Sequence, residues 1–232
     1  MKKLVFPTLV AALILMAIAA APITKTSAQA GMVSSIYSRL QRNQQSLKTL
    51  SADISMDKYN AQLRDSDQYY GTVRYMPVAG RTAFVRLEWN KPQHEILVVA
   101  NGLYTLYRPR LNMYYYGTTN SIHSQKDSDV LALMNMSATQ LRTRFGEPQD
   151  VREETLWGGV WTQHFTVTPN SAASYKYIEV WVDKEGMPVQ TKMVEKNDDS
   201  TTVRLSNVAK NQTIPMDQFT LKLDPSVKRV KG

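Results

Sequence analysis

The chain has 232 residues, with 28 Lys and Arg against 20 Asp and Glu, a formal charge of +8 and no cysteine. Lack of cysteine excludes disulfides, thiolate chemistry and attachment of lipid through a cysteine. Basic residues are scattered except at Lys228-Arg229-Val230-Lys231, which argues against the concentrated basic stripe of a nucleic-acid-binding protein.

Met1-Lys2-Lys3, the apolar run from Leu4 to Ala21 and the small residues Ala28 and Ala30 have the form of a secretory signal peptide, with cleavage expected after Ala30. Pro7 interrupts the run and no basic stop-transfer cluster follows it, so it reads as a leader rather than an anchor. No later stretch approaches the roughly 20 apolar residues of a spanning helix. Lys2, Lys3 and Lys25 would leave with the leader, so the mature chain carries about +5. The remaining roughly 200 residues can bury one good core, and residues 31–232 are expected to form a single domain.

Val33, Ile36, Tyr37, Leu40, Leu47 and Leu50 follow the three-and-four spacing of an amphipathic helix, with Gln41, Arg42, Asn43, Gln44 and Gln45 as its wet side. From Ala52 the period drops to two. Strands are expected at 51–64, 70–76, 81–89, 94–100, 104–107 and 113–116, then at 151–156, 160–168, 175–182, 189–196, 201–208 and 218–223. Asn101-Gly102, Gly158-Gly159 and Asp183-Lys184-Glu185-Gly186 carry hairpin chemistry, so the strands read as an antiparallel meander. Between the two runs, Asp127-Ser128-Asp129 is expected to cap a helix containing Val130, Leu131, Leu133, Met134 and Met136, and Ser137-Ala138-Thr139 to start a second through Leu141 and Phe145.

Such a sheet must bury one face. Ala83, Val85, Leu87 and Trp89 form one apolar file, and Ile178, Val180 and Val182 another. With only about two helical segments to cover it, the sheet either curls and fills its interior or curls incompletely and keeps a cavity. The methionines of the helical insert suit both outcomes, since a flexible thioether adapts to core and to ligand alike.

Nothing in the sequence carries catalysis. There is no G-x-S-x-G, no G-x-G-x-x-G and no phosphate loop. His94, His123 and His164 lie in unrelated segments, so neither a metal site nor another cofactor is expected.

Specific residues then suggest a family. Leu47-Lys48-Thr49-Leu50-Ser51-Ala52, Gly71-Thr72-Val73-Arg74-Tyr75-Met76-Pro77 and Asn101-Gly102 with Tyr104 and Tyr107-Arg108-Pro109 match in order. So do Val182-Asp183-Lys184-Glu185-Gly186-Met187-Pro188 and the closing run from Val203 through Asn207, Asn211, Ile214-Pro215 and Phe219 to Pro225. Over nearly the whole mature chain this resembles the periplasmic outer-membrane lipoprotein carrier family, the LolA-like lipoprotein-sorting proteins.

The resemblance implies an α+β fold that is mainly β. Its form is an incompletely closed antiparallel half-barrel with an N-terminal helix and a central helical lid over an apolar cavity. It implies a periplasmic, monomeric, non-enzymatic carrier of acylated lipoprotein or related lipid, working between an inner-membrane exporter and an outer-membrane acceptor. Relatives of the fold also act as sensing modules through protein partners, and that alternative stays open. Val73, Tyr75, Val85, Leu87, Val98 and Val180 are the expected cavity residues, and Leu131, Met134 and Met136 the expected lid. Where the family commonly has an arginine linked to lid closure this chain has Met76, so Arg74, Arg81 or Arg86 is expected to take the lid contact.

Overall fold

A computed structural model gives the fold and describes residues 25–79, 82–122 and 125–232. The apolar part of the expected leader, Arg81 and His123 lie outside the described residues.

Helix α1 spans Lys25–Ser46 and so begins earlier than the apolar spacing suggested, with Ala30 inside it. Six strands follow: β1 (Leu50–Asn60), β2 (Asp65–Met76), β3 (Phe84–Lys91), β4 (Glu95–Ala100), β5 (Leu103–Arg108) and β6 (Met113–Thr118). Helices α2 (Gln125–Met134) and α3 (Ala138–Arg144) interrupt the meander. It resumes with β7 (Gln149–Leu156), β8 (Val160–Val167), β9 (Tyr175–Asp183), β10 (Pro188–Glu195) and β11 (Ser200–Lys210), and β12 (Lys228–Lys231) comes last.

The twelve strands of the described residues belong to one sheet, in the order β12-β6-β5-β4-β3-β2-β1-β11-β10-β9-β8-β7. The two meanders are therefore joined through the antiparallel pairing of β1 with β11, where Met56 faces Val203 and Ile54 faces Leu205. The sheet stays open, with β12 and β7 as its edges. This is the expected half-barrel of mainly β class.

Tight turns set these registers. Asn101-Gly102 and Gly158-Gly159 take the positive φ that two-residue hairpins require. Gly186, at φ 89, ends the β9–β10 turn so close to α1 that a Cβ would collide with the Arg39 carbonyl. Glycine there lets the helix lie directly on the hairpin.

Several expectations are corrected. Residues 218–223 are not a strand: Pro215 caps a short 3-10 helix at Met216–Phe219, and Phe219 is buried 5.8 Å from Phe84 on the outer side of β3. The final strand is instead β12, parallel to β6. Asp127 and Asp129 lie inside α2 rather than capping it, whereas Ser137 does cap α3, its Oγ accepting from the Gln140 amide at 3.1 Å. Leu50 opens β1 rather than closing α1. Asn43, expected on the wet side of α1, is buried with its Nδ2 3.5 Å from Met187 Sδ.

Alternation within strands sends one file inward. Leu50, Ala52, Ile54 and Met56 of β1, Val73 and Tyr75 of β2, and Ala83 with Val85, Leu87 and Trp89 at β3 are all buried in one cluster. Val130, Leu133 and Met134 of α2 close over it. A second cluster joins Ile36, Tyr37 and Leu40 of α1 and Leu141 of α3 to Phe165, Val180 and Val182. The three α-helices of the described residues thus lie on the inner face.

Candidate ligand-sheltering site

The inner face and its helical cover make the site. Val73 pairs with Leu87 and Tyr75 with Val85, so four of the six expected cavity residues share the inner file beneath α2. Val180 lies apart from them, paired with Phe165 under α1 and α3. Val98 pairs with Arg86 and Thr105 and so belongs to the outer face, where residues 216–219 pack. In β4 five consecutive residues are buried, which hides the alternation that would have told the faces apart.

Those inner positions are filled by protein. Leu87 and Val180 are both 0% exposed, with α2 packed on one and α1 and α3 on the other. The unfilled apolar space lies to the side. A groove of about 430 Å³ runs between α2, α3 and the β9–β10 hairpin, lined by Leu131, Met136, Leu141, Phe145, Ile178 and Met193. A smaller pocket of about 60 Å³ continues it beneath α2, bounded by Leu133, Thr191 and Val203. Of the expected lid residues, Leu131 and Met136 line this groove and Met134 faces the core.

Polar contacts also tie α2 and the residue after it to the sheet. Trp89 Nε1 donates to Asp127 Oδ1 at 2.9 Å and Tyr75 Oη donates to Asn135 Oδ1 at 3.1 Å. Lys126 pairs with the buried Glu95, which Arg108 also meets at 3.1 Å through Nε. The Lys126 ammonium also lies 5.2 Å from the Tyr69 ring centroid and 5.6 Å from that of Trp89. Lys58 Nζ lies 3.8 Å from Asp129 Oδ2. Burial pushes the Tyr75 phenol above its ordinary pKa, so it remains a hydrogen-bond donor at neutral pH.

Arg74 and Arg86 do not reach α2. They pair with each other across β2 and β3 on the outer face, and Arg86 Nη2 meets Glu88 Oε2 at 3.0 Å and Nη1 meets the Gln218 carbonyl at 3.4 Å. Sequence reading missed Lys126, Asp127, Glu95 and Trp89 as the fastening of α2. Glu95, a lone acid opening an apolar strand, was the available signal, since a buried carboxylate needs a cationic partner.

A polar cavity of about 700 Å³ opens at the other end of α2, among Gln44, Tyr75, Thr82, Asn135, Ser137 and Gln140. Outside the inner face, His164 is 1% exposed, with Nδ1 2.8 Å from Glu154 Oε2 and Nε2 3.0 Å from Glu179 Oε2. Trp181 stacks on it at 4.0 Å and donates Nε1 to Glu154 Oε1 at 3.0 Å. His94 pairs with Glu88 on the other half of the outer face, well separated from it in the strand order.

An open half-barrel, antiparallel except for β12, with helices laid on its inner face and apolar space beside one of them has the form of a binding scaffold. The chain belongs to the outer membrane lipoprotein carrier protein LolA family, whose model matches residues 45–222. No curated protein matches the sequence. Among solved structures, an uncharacterized conserved protein of Thermus thermophilus superposes with a TM-score of 0.55 at 11% identity, covering 87% of this chain and 99% of its own. LprF of Mycobacterium bovis superposes at 0.50 and 13% identity, covering 80% and 96%. MucB in the Pseudomonas aeruginosa MucA/MucB complex superposes at 0.52 and 13% identity, covering 82% of this chain and 61% of that one. At these identities the likeness is one of fold.

Proposed function

We propose that this protein is a carrier of the acyl chains of lipoproteins or related lipids, exported to the periplasm with its leader cleaved after Ala30 and acting as a single domain, residues 31–232. The observation that carries this reading is that α2, seated on the sheet through a few polar ties and three buried apolar residues, borders an apolar groove. Lifting α2 from the sheet would widen that groove and expose the inner file of Val73, Tyr75, Val85 and Leu87 together with Met136, Ile178 and Met193. Burying one methylene is worth about 0.8 kcal/mol, so a long acyl chain contributes on the order of 10 kcal/mol before costs, which is set against the polar contacts of α2 and the burial of its Val130, Leu133 and Met134. Family membership supports transfer from an inner-membrane exporter to an outer-membrane acceptor by a monomer. Among the described residues no helix is long and apolar enough to cross a membrane, which accords with that role. No enzymatic step is required of it.

A second reading is a sensing module that works through a protein partner and carries no lipid. The filled interior favours it, since Leu87 and Val180 are sealed as core. Native mass spectrometry of the protein purified from a bacterial periplasm, with organic extraction, separates the two. Co-purifying acylated peptide or phospholipid is expected. A clean apo mass, unchanged by incubation with an acylated peptide, overturns the carrier reading.

A further inference from the structure

The net charge of the chain is not spread over its surface. Ile96 through Ile122, which contains most of β4 and all of β5 and β6, holds Arg108 and Arg110 and no acidic side chain. Pro225 through Gly232, which contains β12, holds Lys228, Arg229 and Lys231 and again no acidic side chain. The parallel pairing of β12 with β6 brings these two stretches together at one edge of the sheet. Arg108 is neutralised by Glu95, and the rest point to solvent: Arg110, Lys228, Arg229 and Lys231 are all exposed. The nearest acid in sequence, Asp224, is turned onto the amide of Ser226 at 2.8 Å.

This edge is also aromatic. Tyr114 and Tyr116 project from β6 with ring centroids 6.2 Å apart, and the Arg229 guanidinium lies 4.0 Å from the Tyr116 ring. Beside them Leu111, at the turn before β6, is 53% exposed. A cavity of about 440 Å³, lined by Tyr104, Leu106, Tyr115 and Ile122, opens at the same edge. Basic side chains with half-buried tyrosines and a projecting leucine are the composition that suits the headgroup layer of a membrane.

We infer that the edge formed by β6 and β12 docks on an anionic phospholipid bilayer, through Arg110, Lys228, Arg229 and Lys231 with Tyr114 and Tyr116 at the headgroup level. Charge complementarity selects this occupant: four exposed cations with no acidic side chain among them attract a sheet of phosphates, whereas a zwitterionic surface offers no net field. Basic residues on an edge strand also guard against strand-to-strand aggregation. Guarding does not account for Arg110 or for the acid-free β5 and β6. Docking does not depend on what the interior holds, so it fails or stands separately from the carrier reading.

The test is sedimentation of the purified, exported protein with phosphatidylcholine vesicles and with vesicles containing about one-third phosphatidylglycerol. Binding to the anionic vesicles alone is expected, weakening steeply as salt is raised because the attraction is screened within about 10 Å. Each cation near such a surface is worth about fivefold in partitioning and each glutamate adds repulsion, so the triple variant Lys228→Glu, Arg229→Glu, Lys231→Glu should bind more weakly by roughly a hundredfold or more. Arg42→Glu, Lys48→Glu, Arg64→Glu makes the same change in net charge at exposed positions elsewhere and should lose far less. Arg110→Glu alone, which leaves β12 untouched, should lose roughly fivefold or more and serves if the triple variant does not fold. Failure to bind anionic vesicles, equal binding to both vesicle types, or equal losses in the two triple variants overturns the proposal.

Discussion

The Trp89 indole donates to the Asp127 carboxylate at 2.9 Å, and both residues are fully buried between β3 and α2. A buried carboxylate on a surface-laid helix is costly to maintain, and here it ties the helix to the sheet from which it would have to part.

Asp127→Ala is therefore expected to destabilise the fold by about 1–3 kcal/mol while loosening α2 more than the rest. Hydrogen exchange should accelerate at residues 125–134 ahead of the β-sheet amides, and uptake of a fluorescent fatty acid should become faster. Uniform acceleration through the whole chain would mean that α2 is an inseparable part of the core.

Met193 and Leu87 should behave oppositely. Met193 lines the groove and is only partly buried, so Met193→Glu is expected to cost less than about 1 kcal/mol in urea unfolding yet suppress acyl-chain binding. Leu87→Asn places a polar group in packed core and should cost several kcal/mol. Unchanged lipid binding by Met193→Glu would remove the groove from the binding path.

Phe219 anchors the crossing from β11 to β12 against Phe84. Its truncation, Phe219→Ala, is expected to cost about 3–5 kcal/mol by denaturant unfolding, as for other buried aromatic residues. A loss under about 1 kcal/mol would show that this crossing is not fixed to the sheet.

Glu154 gives a pH dependence. Burial acts to raise its pKa, but hydrogen bonds from Trp181 and His164 and the charge of Arg152 outweigh burial and hold it below the ordinary value. A carboxylate depressed on folding stabilises fully above its unfolded pKa, about 4.3, and that contribution is lost as pH falls through the lower folded value. Trp181 fluorescence should therefore shift below about pH 4, together with a loss of stability, and Glu154→Gln should abolish the shift. Persistence of the shift in that variant would assign it to another group.

Much of the architecture could be read from the chain because the information is local. Eleven of the twelve strands follow from period-two files and hairpin glycines, and Ser137 announces α3. Where reading failed, the missing information was non-local. Val98 sits in a run buried on both sides, so no alternation marks its face. Arg86 suits a lid contact by charge alone, and only its pairing with Arg74 fixes it outside. The ties of α2 join residues that lie 31, 38 and 60 positions apart, and no spacing rule links them. Residues 218–223 have strand-like composition, but Pro215 starts a 3-10 turn just before them and the Phe84 contact holds Phe219 across the sheet instead of within it.

The junction of β1 with β11 fixes the order in which the molecule can be built. Leu50 meets Lys210 and Tyr59 meets Ser200, so the first strand to emerge waits for nearly the last before its outer side is paired. Closing a loop of this length carries a large entropic cost that only the completed ladder offsets, which places the fold among slow, high-contact-order topologies. A nascent chain that stops short of residue 200 has two unjoined half-sheets and an exposed seam of backbone groups, and it gains its native cooperativity only when the final long hairpin is in hand.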